Sequence, residues 1–211
     1  MQFNSAQREI VIKIVYYGPP LSGKTTNLQS IHKLLGSKTC GRLTTLDTAD
    51  DRTLFFDLLP LIVSSGSGYK IKIKLFTVPG QVIHAATRRL VLQGADGIVF
   101  VADSQLAEAK TNNEFWKGMK GHIAENGLDP ARVPTVIQFN KRDLPNIRSD
   151  ADLDRIKEKS NEPVFNAVAI DGDGVLETLH GLLVLLFKDL QEQHDFEQKF
   201  KVSLREILRS V

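Results

Sequence analysis

Residues 10–36 read IVIKIVYYGPPLSGKTTNLQSIHKLLG, and this stretch decides the fold. The β-branched and aromatic run over residues 10–17 predicts a buried parallel strand. The residues after the loop predict a helix with one apolar face, formed by Leu28, Ile31, Leu34 and Leu35. Gly36 is placed to stop that helix. Between strand and helix, residues 18–25 form a complete G-x-x-x-x-G-K-[ST] pattern, which predicts a phosphate-binding loop.

The loop has the residue types that a nucleoside triphosphate requires. Gly18 and Gly23 leave room for successive backbone N–H groups and the helix N-terminus to point at phosphate oxygens. Lys24 is expected to contact the β- and γ-phosphates, and the Thr25 hydroxyl to ligate Mg²⁺. The full predicted phosphate-binding set is Gly18, Leu21, Ser22, Gly23, Lys24, Thr25 and Thr26. The alternative is an ordinary glycine-rich turn, which the complete pattern and both flanking elements disfavour.

A second motif indicates which base is bound. Residues 134–139 predict another strand, and NKRD begins at its carboxyl end, where ligands bind in open α/β sheets. The Asp143 carboxylate can accept hydrogen bonds from guanine N1–H and the exocyclic amine, whereas adenine would leave it unpaired. Asn140 is expected to hold the base and brace the phosphate loop, with the Lys141 stem along the purine face. An isolated NKRD could be a polar turn, but together with the phosphate loop it predicts guanine.

Residues 70–78 alternate apolar and basic side chains, which predicts an edge or half-exposed strand. This strand leads into P-G-Q, the arrangement that senses the γ-phosphate in Ras-type proteins. Gly80 is therefore the predicted sensor, and Gln81 is predicted to orient the attacking water. Thr77 stands where the usual pattern has an aspartate that supports the metal, so the surroundings of Mg²⁺ are expected to differ.

Residues 48–57 mix acids, threonine and arginine without a clean period, which suits a mobile segment that feeds a strand. Thr53 is the predicted second protein ligand of Mg²⁺. Arg52 could deliver positive charge to the transition state of hydrolysis, and the alternative is a solvated surface arginine. Residues 64–68, SSGSG, predict the hairpin turn between the two strands.

Taken together, these segments resemble the MglA family of bacterial Ras/Arf-like small GTPases. The matching segments are VYYGPPLSGKTTNL, DRTLFFDLLPL, TVPGQV, DGIVFVADSQ, VIQFNKRDLP and AVAIDGDGV, which cover most of residues 10–190. The resemblance implies a P-loop G domain that binds GTP or GDP with Mg²⁺. It also implies hydrolysis that is slow without an activating partner, in a switch for bacterial cell polarity and surface motility.

The resemblance also implies roles for single residues. Arg52 and Gln81 would be the catalytic pair, brought into place by a Roadblock-fold activator of the MglB type, and effector proteins would bind the GTP form. Val168 and Ala169 would offer backbone N–H groups to guanine O6. The chain departs from the family in a longer tail and in Pro20, where the family usually has glycine. Because proline lacks the N–H and fixes φ near about −65°, this position cannot donate to a phosphate.

Length and composition predict one G domain over residues 1–192, followed by a helical extension over residues 193–211. Alternating strand-like and helical runs predict a mainly parallel sheet with helices on both faces. The 27 basic and 25 acidic side chains are too balanced for a nucleic-acid surface. Cys40 is the only cysteine, so no internal disulfide can form, which fits a reducing cytoplasm. We expect no membrane span or lipid anchor, and recruitment to cell poles through partner proteins.

The extension has an apolar stripe at helical spacing, formed by Phe196, Phe200, Leu204, Ile207, Leu208 and Val211. It could pack back on the domain, bind a partner, or attach to a membrane surface. Acidic residues nearly cancel the basic ones there, which weakens the membrane interpretation.

Three functions compete at this point. The first is a regulated GTPase switch. The second is a GTP-binding scaffold with little or no turnover that recruits effectors, which Pro20 and Thr77 favour. The third is an ATP-using enzyme such as a small-molecule kinase, which Asp143 argues against.

Overall fold

Strands and helices alternate along the chain, as the sequence predicts. The computed structural model describes residues 1–46, 56–80 and 84–211. Its strands are β1 (Gln2–Asn4), β2 (Glu9–Tyr17), β3 (Thr44–Leu46), β4 (Phe56–Ser64), β5 (Lys70–Thr77), β6 (Gly97–Asp103), β7 (Thr135–Asn140) and β8 (Val164–Asn166). Its helices are α1 (Lys24–Thr39), α2 (Ala85–Leu92), α3 (Ala109–Glu125), α4 (Asp150–Lys159), α5 (Val175–His194), α6 (Phe196–Phe200) and α7 (Leu204–Ser210). A short 3-10 helix, Leu106–Glu108, precedes α3.

Within the described residues the strands form one eight-stranded sheet, ordered β3-β4-β5-β2-β6-β7-β8, and β1 pairs with the start of β2. The pairs from β5 through β8 are parallel, whereas β3–β4, β4–β5 and β1–β2 are antiparallel. The chain order reverses at β2, which pairs with both β5 and β6. Ligands of open α/β sheets bind at the carboxyl ends of the strands beside such a reversal.

Helices cover both faces of the sheet, and alternate residues of β2 point into two separate cores. Ile12, Ile14 and Tyr16 join the core under α1, α5 and the C-terminal helices. Val15 and Tyr17 join the core under α2, α3 and α4. A mainly parallel sheet with both faces covered confirms the predicted fold class.

Of the two alternatives predicted for residues 70–78, an edge or a half-exposed strand, the second is confirmed: β5 lies between β4 and β2 with its lysine-bearing face half-exposed. Two local expectations need correction. Leu34 does not complete the apolar face of α1, since 49% of its surface is exposed. Gly36 breaks the helical backbone with φ of 66°, but helical residues continue to Thr39.

The predicted hairpin turn over residues 64–68 is confirmed, since β4 and β5 pair in antiparallel register on either side of it. The extension packs back on the domain: Phe196, Phe200 and Ile207 are buried in the same core as α1 and α5. It is not one continuous helix, because Lys201 between α6 and α7 has a left-handed φ of 55°. The division after residue 192 remains a prediction, and α5 ends at His194.

No helix in the described part of the chain has the length and apolarity needed to cross a membrane.

Candidate functional site

The phosphate loop joins the carboxyl end of β2 to the N-terminus of α1, and close packing explains its two glycines. A Cβ at Gly18 would lie 2.2 Å from the Val101 carbonyl oxygen of β6. A Cβ at Gly23 would lie 2.1 Å from the Asn140 side-chain nitrogen, and Gly23 has a left-handed φ of 100°. Any larger residue would push the loop away from β6 and from the NKRD segment.

Lys24 points back under the loop rather than into solvent. Its side chain is 7% exposed, and its Nζ donates to the carbonyl oxygens of Gly18 at 3.0 Å and Pro19 at 2.6 Å. Burial, and to a lesser extent the nearby charge of Arg88, lowers the pKa of Lys24 to about 7, against the opposing effect of Asp57. Among the residues that the structure describes, the hydrogen-bond partners of this buried ammonium group are neutral carbonyl oxygens, which makes it a favourable site for an anion.

The loop borders a cavity of about 750 Å³. The other walls come from β3, β4, the end of β5 and the segment after it. The lining residues are Pro20, Leu21, Gly23, Lys24, Thr25, Thr26, Thr45, Phe56, Asp57, Thr77, Val78, Pro79 and Gly80. The structure therefore brings five of the seven predicted phosphate-loop residues and the predicted sensor Gly80 around one space, whereas Gly18 and Ser22 do not line it.

Other predicted loop residues occupy distinct environments. Ser22 is fully buried, and its Oγ has no hydrogen-bond partner among the described residues. Leu21 has a left-handed φ of 58°, and its side chain is 87% exposed. Thr26 is half-buried.

Asp57 is the residue that sequence reasoning missed. It stands in a row across three strands, with Thr45 of β3 opposite it on one side and Thr77 of β5 on the other. The Thr45 hydroxyl donates to Asp57 Oδ1 at 2.8 Å, and the Thr77 hydroxyl donates to Oδ2 at 3.0 Å. The Thr25 hydroxyl of α1 also donates to Oδ2, at 2.5 Å. A buried carboxylate therefore holds the threonine that is predicted to ligate Mg²⁺.

This arrangement accounts for the threonine at position 77. The carboxylate absent from the end of β5 is supplied by the neighbouring antiparallel strand. The sequence did contain a signal, because Asp57 is in phase with Leu59, Leu61 and Val63, the core-facing residues of β4. An acid at a core-facing position is rarely unpaired, and so it points to a specific role.

Pro20 and Gly80 lie against each other at the mouth of the cavity. A Cβ at Gly80 would lie 2.5 Å from Pro20 Cα and 3.3 Å from Lys24 Nζ. Gly80 is thus placed directly over the phosphate loop, and only glycine fits there without displacement. The predicted residues Arg52, Thr53 and Gln81 lie outside the described residues.

Asn140 connects the two predicted halves of the site. Its Nδ2 donates to the Ser22 carbonyl oxygen of the phosphate loop at 2.8 Å. Its Oδ1 accepts the Ala169 N–H at 2.9 Å, and the side chain is buried. The bracing role predicted for Asn140 is therefore present in the geometry.

The next residues of the motif are more accessible. Lys141 Nζ pairs with the buried carboxylate of Asp103 at 2.6 Å, which fixes the direction of the lysine stem. Asp143 is exposed at the edge of the site. Adenine is rejected only if the Asp143 carboxylate loses its contact with water and is then left unpaired. Because Asp143 is exposed, the bound base itself would have to cover this carboxylate.

Val168 and Ala169 follow β8 at the same edge of the sheet, but both N–H groups have acceptors within the protein. Val168 donates to the Asp173 carbonyl oxygen at 3.0 Å, and Ala169 donates to Asn140 Oδ1. For guanine O6 to accept the Ala169 hydrogen, Asn140 has to share or release it.

Comparison with known proteins decides the family. No family model matched the sequence. The chain is 46% identical to the mutual gliding-motility protein MglA of Myxococcus xanthus (strain DK1622) over 189 residues, which cover 90% of this chain and 97% of that protein. The chain belongs to the MglA family. The family assignment agrees with the sheet order and with the phosphate loop of a P-loop G domain.

The donors at the cavity fit the Mg²⁺-nucleotide complex expected of an MglA-family protein. Hydroxyl and carboxylate oxygens, the hard ligands that Mg²⁺ prefers, come together at Thr25 and Asp57. No group of three His, Cys, Asp or Glu side chains within the described ranges is arranged to hold a metal alone. Phosphate oxygens and water would therefore complete the coordination, as is usual for Mg²⁺.

The buried ammonium group of Lys24 makes stability depend on pH. Its pKa is about 7 in the folded chain, against an ordinary value of 10.5. Between these values the unfolded chain binds more protons, so the free energy of unfolding rises with pH, by at most about 1.4 kcal/mol per pH unit. We expect nucleotide-free protein to gain stability relative to Lys24→Met between pH 7 and 9, measured by urea unfolding. Parallel pH profiles for the two proteins would contradict this.

Proposed function

We propose that this protein is a small GTPase that binds GTP and GDP with Mg²⁺ and hydrolyses GTP to GDP and phosphate. The observation that carries the proposal is the pair of hydrogen bonds made by the Asn140 side chain. One joins it to Ser22 of the phosphate loop. The other joins it to Ala169 in the loop between β8 and α5, residues 167–174, which we call the base-side loop. One buried amide thereby links the G-x-x-x-x-G-K-[ST] loop to the NKRD segment, which supports a single site with phosphates at one end and guanine at the other.

The phosphate tail would lie in the cavity bordered by the loop. Gly18, Leu21, Ser22, Gly23 and Thr26 would surround it, mainly with backbone N–H groups at the N-terminus of α1. Lys24 would exchange its neutral carbonyl partners for phosphate oxygens. That exchange favours binding, because a charged acceptor forms the stronger hydrogen bond.

Thr25 and Thr53 are the proposed protein ligands of Mg²⁺. Asp57 would orient Thr25 through the hydrogen bond already present and would contribute negative charge beside the metal. When bound, the ion neutralises charge that develops on the phosphates during transfer.

Hydrolysis would depend on Gly80 beside the cavity and on two residues outside the described ranges. Gly80 is the proposed γ-phosphate sensor, Gln81 would orient water, and Arg52 would stabilise the transition state. Pro20 of the phosphate loop lies against Gly80, but it has no backbone N–H to donate to a phosphate. We therefore propose slow turnover that a partner accelerates.

Guanine would be held by Asn140, Lys141 and Asp143. Lys141 enters this role already positioned by Asp103, so its stem can lie along the base. Val168 and Ala169 remain the proposed donors to O6, with the Ala169 hydrogen shared with Asn140.

The Myxococcus relative is named for gliding motility. We propose that this protein acts in bacterial cell polarity and surface motility, with a Roadblock-fold activator of the MglB type and with effectors that bind its GTP form. We place it in the cytoplasm, with recruitment to cell poles through partners.

A GTP-binding scaffold without turnover is the second candidate. The contact between Pro20 and Gly80 favours it, because the loop position next to the proposed sensor has no donor. Hydrolysis measurements separate the two functions.

Gln81→Leu tests turnover. Loss of the water-orienting amide should reduce Mg²⁺-dependent GTP hydrolysis on the order of 10²-fold, because the water is no longer aligned for attack. Phosphate release is measured with and without a Roadblock-type activator, and Gln93→Leu, an exposed glutamine after α2, is the matched control. If the unaltered protein releases no phosphate even with the activator, the scaffold function is correct.

Asp57→Asn tests the relocated carboxylate. The substitution keeps size and removes charge, so the Mg²⁺ concentration needed to retain a fluorescent GDP analogue should rise roughly 10- to 100-fold. Asp96→Asn is the control, since Asp96 is a largely buried acid directly before β6, where it accepts the N–H of Lys13 in the middle of β2. An unchanged Mg²⁺ requirement in Asp57→Asn would show that this carboxylate does not support the metal.

A further inference from the structure

A continuous row of buried polar groups crosses the core between α1, β7 and α5. Its members are Asn27, Gln138 and Thr178, all of which are fully buried. The row ends on two backbone carbonyl groups, those of Gly23 and Gly174, the residues immediately before α1 and α5.

The hydrogen bonds in this row are complete. Asn27 Nδ2 donates to the Gly23 carbonyl oxygen at 3.0 Å and to Gln138 Oε1 at 2.8 Å. Gln138 Nε2 donates back to Asn27 Oδ1 at 3.0 Å and to Thr178 Oγ1 at 2.9 Å. The Thr178 hydroxyl donates to the Gly174 carbonyl oxygen at 2.6 Å. Each side-chain hydrogen on nitrogen or oxygen therefore has its own acceptor.

The residues around this row are apolar, so their environment does not explain why the three side chains are polar. Leu28, Val136 and Leu179, neighbours in sequence of these residues, belong to the apolar core. Apolar side chains would avoid the cost of removing amides from water. A fully satisfied polar network in such a core fixes one arrangement of the elements that it joins.

The two ends of the row lie at the two halves of the nucleotide site. Gly23 closes the phosphate loop. Gly174 closes the base-side loop, in which Val168 donates to the Asp173 carbonyl oxygen at 3.0 Å. A Cβ at Gly174 would lie 1.9 Å from the Asn166 carbonyl oxygen, so this end is tightly fixed.

We propose that Asn27, Gln138 and Thr178 are positioning residues that set the separation between the phosphate loop and the base-side loop, and that they thereby control nucleotide retention. The inference rests on the proposed function. A nucleotide would contact one loop with its phosphates and the other with its base, as a bivalent ligand does. Nucleotide affinity is therefore highest when the distance between the two loops already matches the length of the nucleotide. Loops that must be ordered on binding reduce affinity.

Gln138→Met tests the proposal, because it keeps length and removes both the donor and the acceptor of the side-chain amide. We expect release of a fluorescent GDP analogue to accelerate about tenfold or more, in line with the cost of unpaired buried polar groups. Hydrogen exchange should accelerate at both ends of the row, over residues 23–28 and 168–176. The matched control is Thr135→Val, a buried residue of the same strand whose hydroxyl bonds locally to the Val133 carbonyl oxygen.

Thr178→Val removes a single hydroxyl and provides the decisive test if Gln138→Met does not fold. It should also accelerate release, and Thr178→Ser should restore slow release, because serine keeps the hydroxyl. Release rates within twofold of the unaltered protein in folded Gln138→Met or Thr178→Val would overturn the proposal, as would equal acceleration in Thr135→Val. If the unaltered protein does not bind the GDP analogue, the proposed function fails, and this inference fails with it.

Discussion

The hydrogen bond from the Asn140 side chain to the Ser22 carbonyl oxygen, 2.8 Å long, is the interaction on which the site depends. It joins the loop after β2 to the segment after β7, two parts of the chain that are far apart in sequence. The bond requires glycine at position 23, because a Cβ there would overlap the Asn140 nitrogen. The same amide accepts from Ala169, so the proposed phosphate-binding and base-binding segments are joined through one side chain.

The side chains of Thr45, Asp57 and Thr77 form a hydrogen-bonded row across three neighbouring strands. Such a row allows one strand to supply a carboxylate beside the end of another. Antiparallel pairing places Asp57 next to Thr77, so a carboxylate at the start of β4 reaches the space beside the end of β5. Thr45 and Thr25 complete its hydrogen bonds. Under the proposed function, this carboxylate would serve the Mg²⁺ ion in place of the aspartate that the usual motif has at position 77.

Local patterns in the sequence were sufficient for the fold class, for the strand–loop–helix unit within residues 10–36 and for the family. Strand β2, the loop and α1 each have a strong signal of their own, so they were predictable without tertiary information. The row formed by Asn27, Gln138 and Thr178 was not, because each residue looks ordinary alone and their contact depends on how α1 and α5 pack on β7. Asp57 was missed for a related reason: its role depends on strand register. The break at Lys201 escaped prediction because the apolar spacing of the extension continues across it.

The central claim is that one site recognises guanine at one end and phosphates at the other. Asp143→Asn tests it most directly, by comparison of GDP and xanthosine diphosphate in binding titrations. Asparagine can accept from N1–H and donate to the 2-oxo group of xanthine, whereas it would face the 2-amino group of guanine with a donor. A site built around such bonds discriminates by on the order of 10⁴-fold. The account predicts that preference reverses from GDP to xanthosine diphosphate, and an unchanged preference for GDP would contradict it.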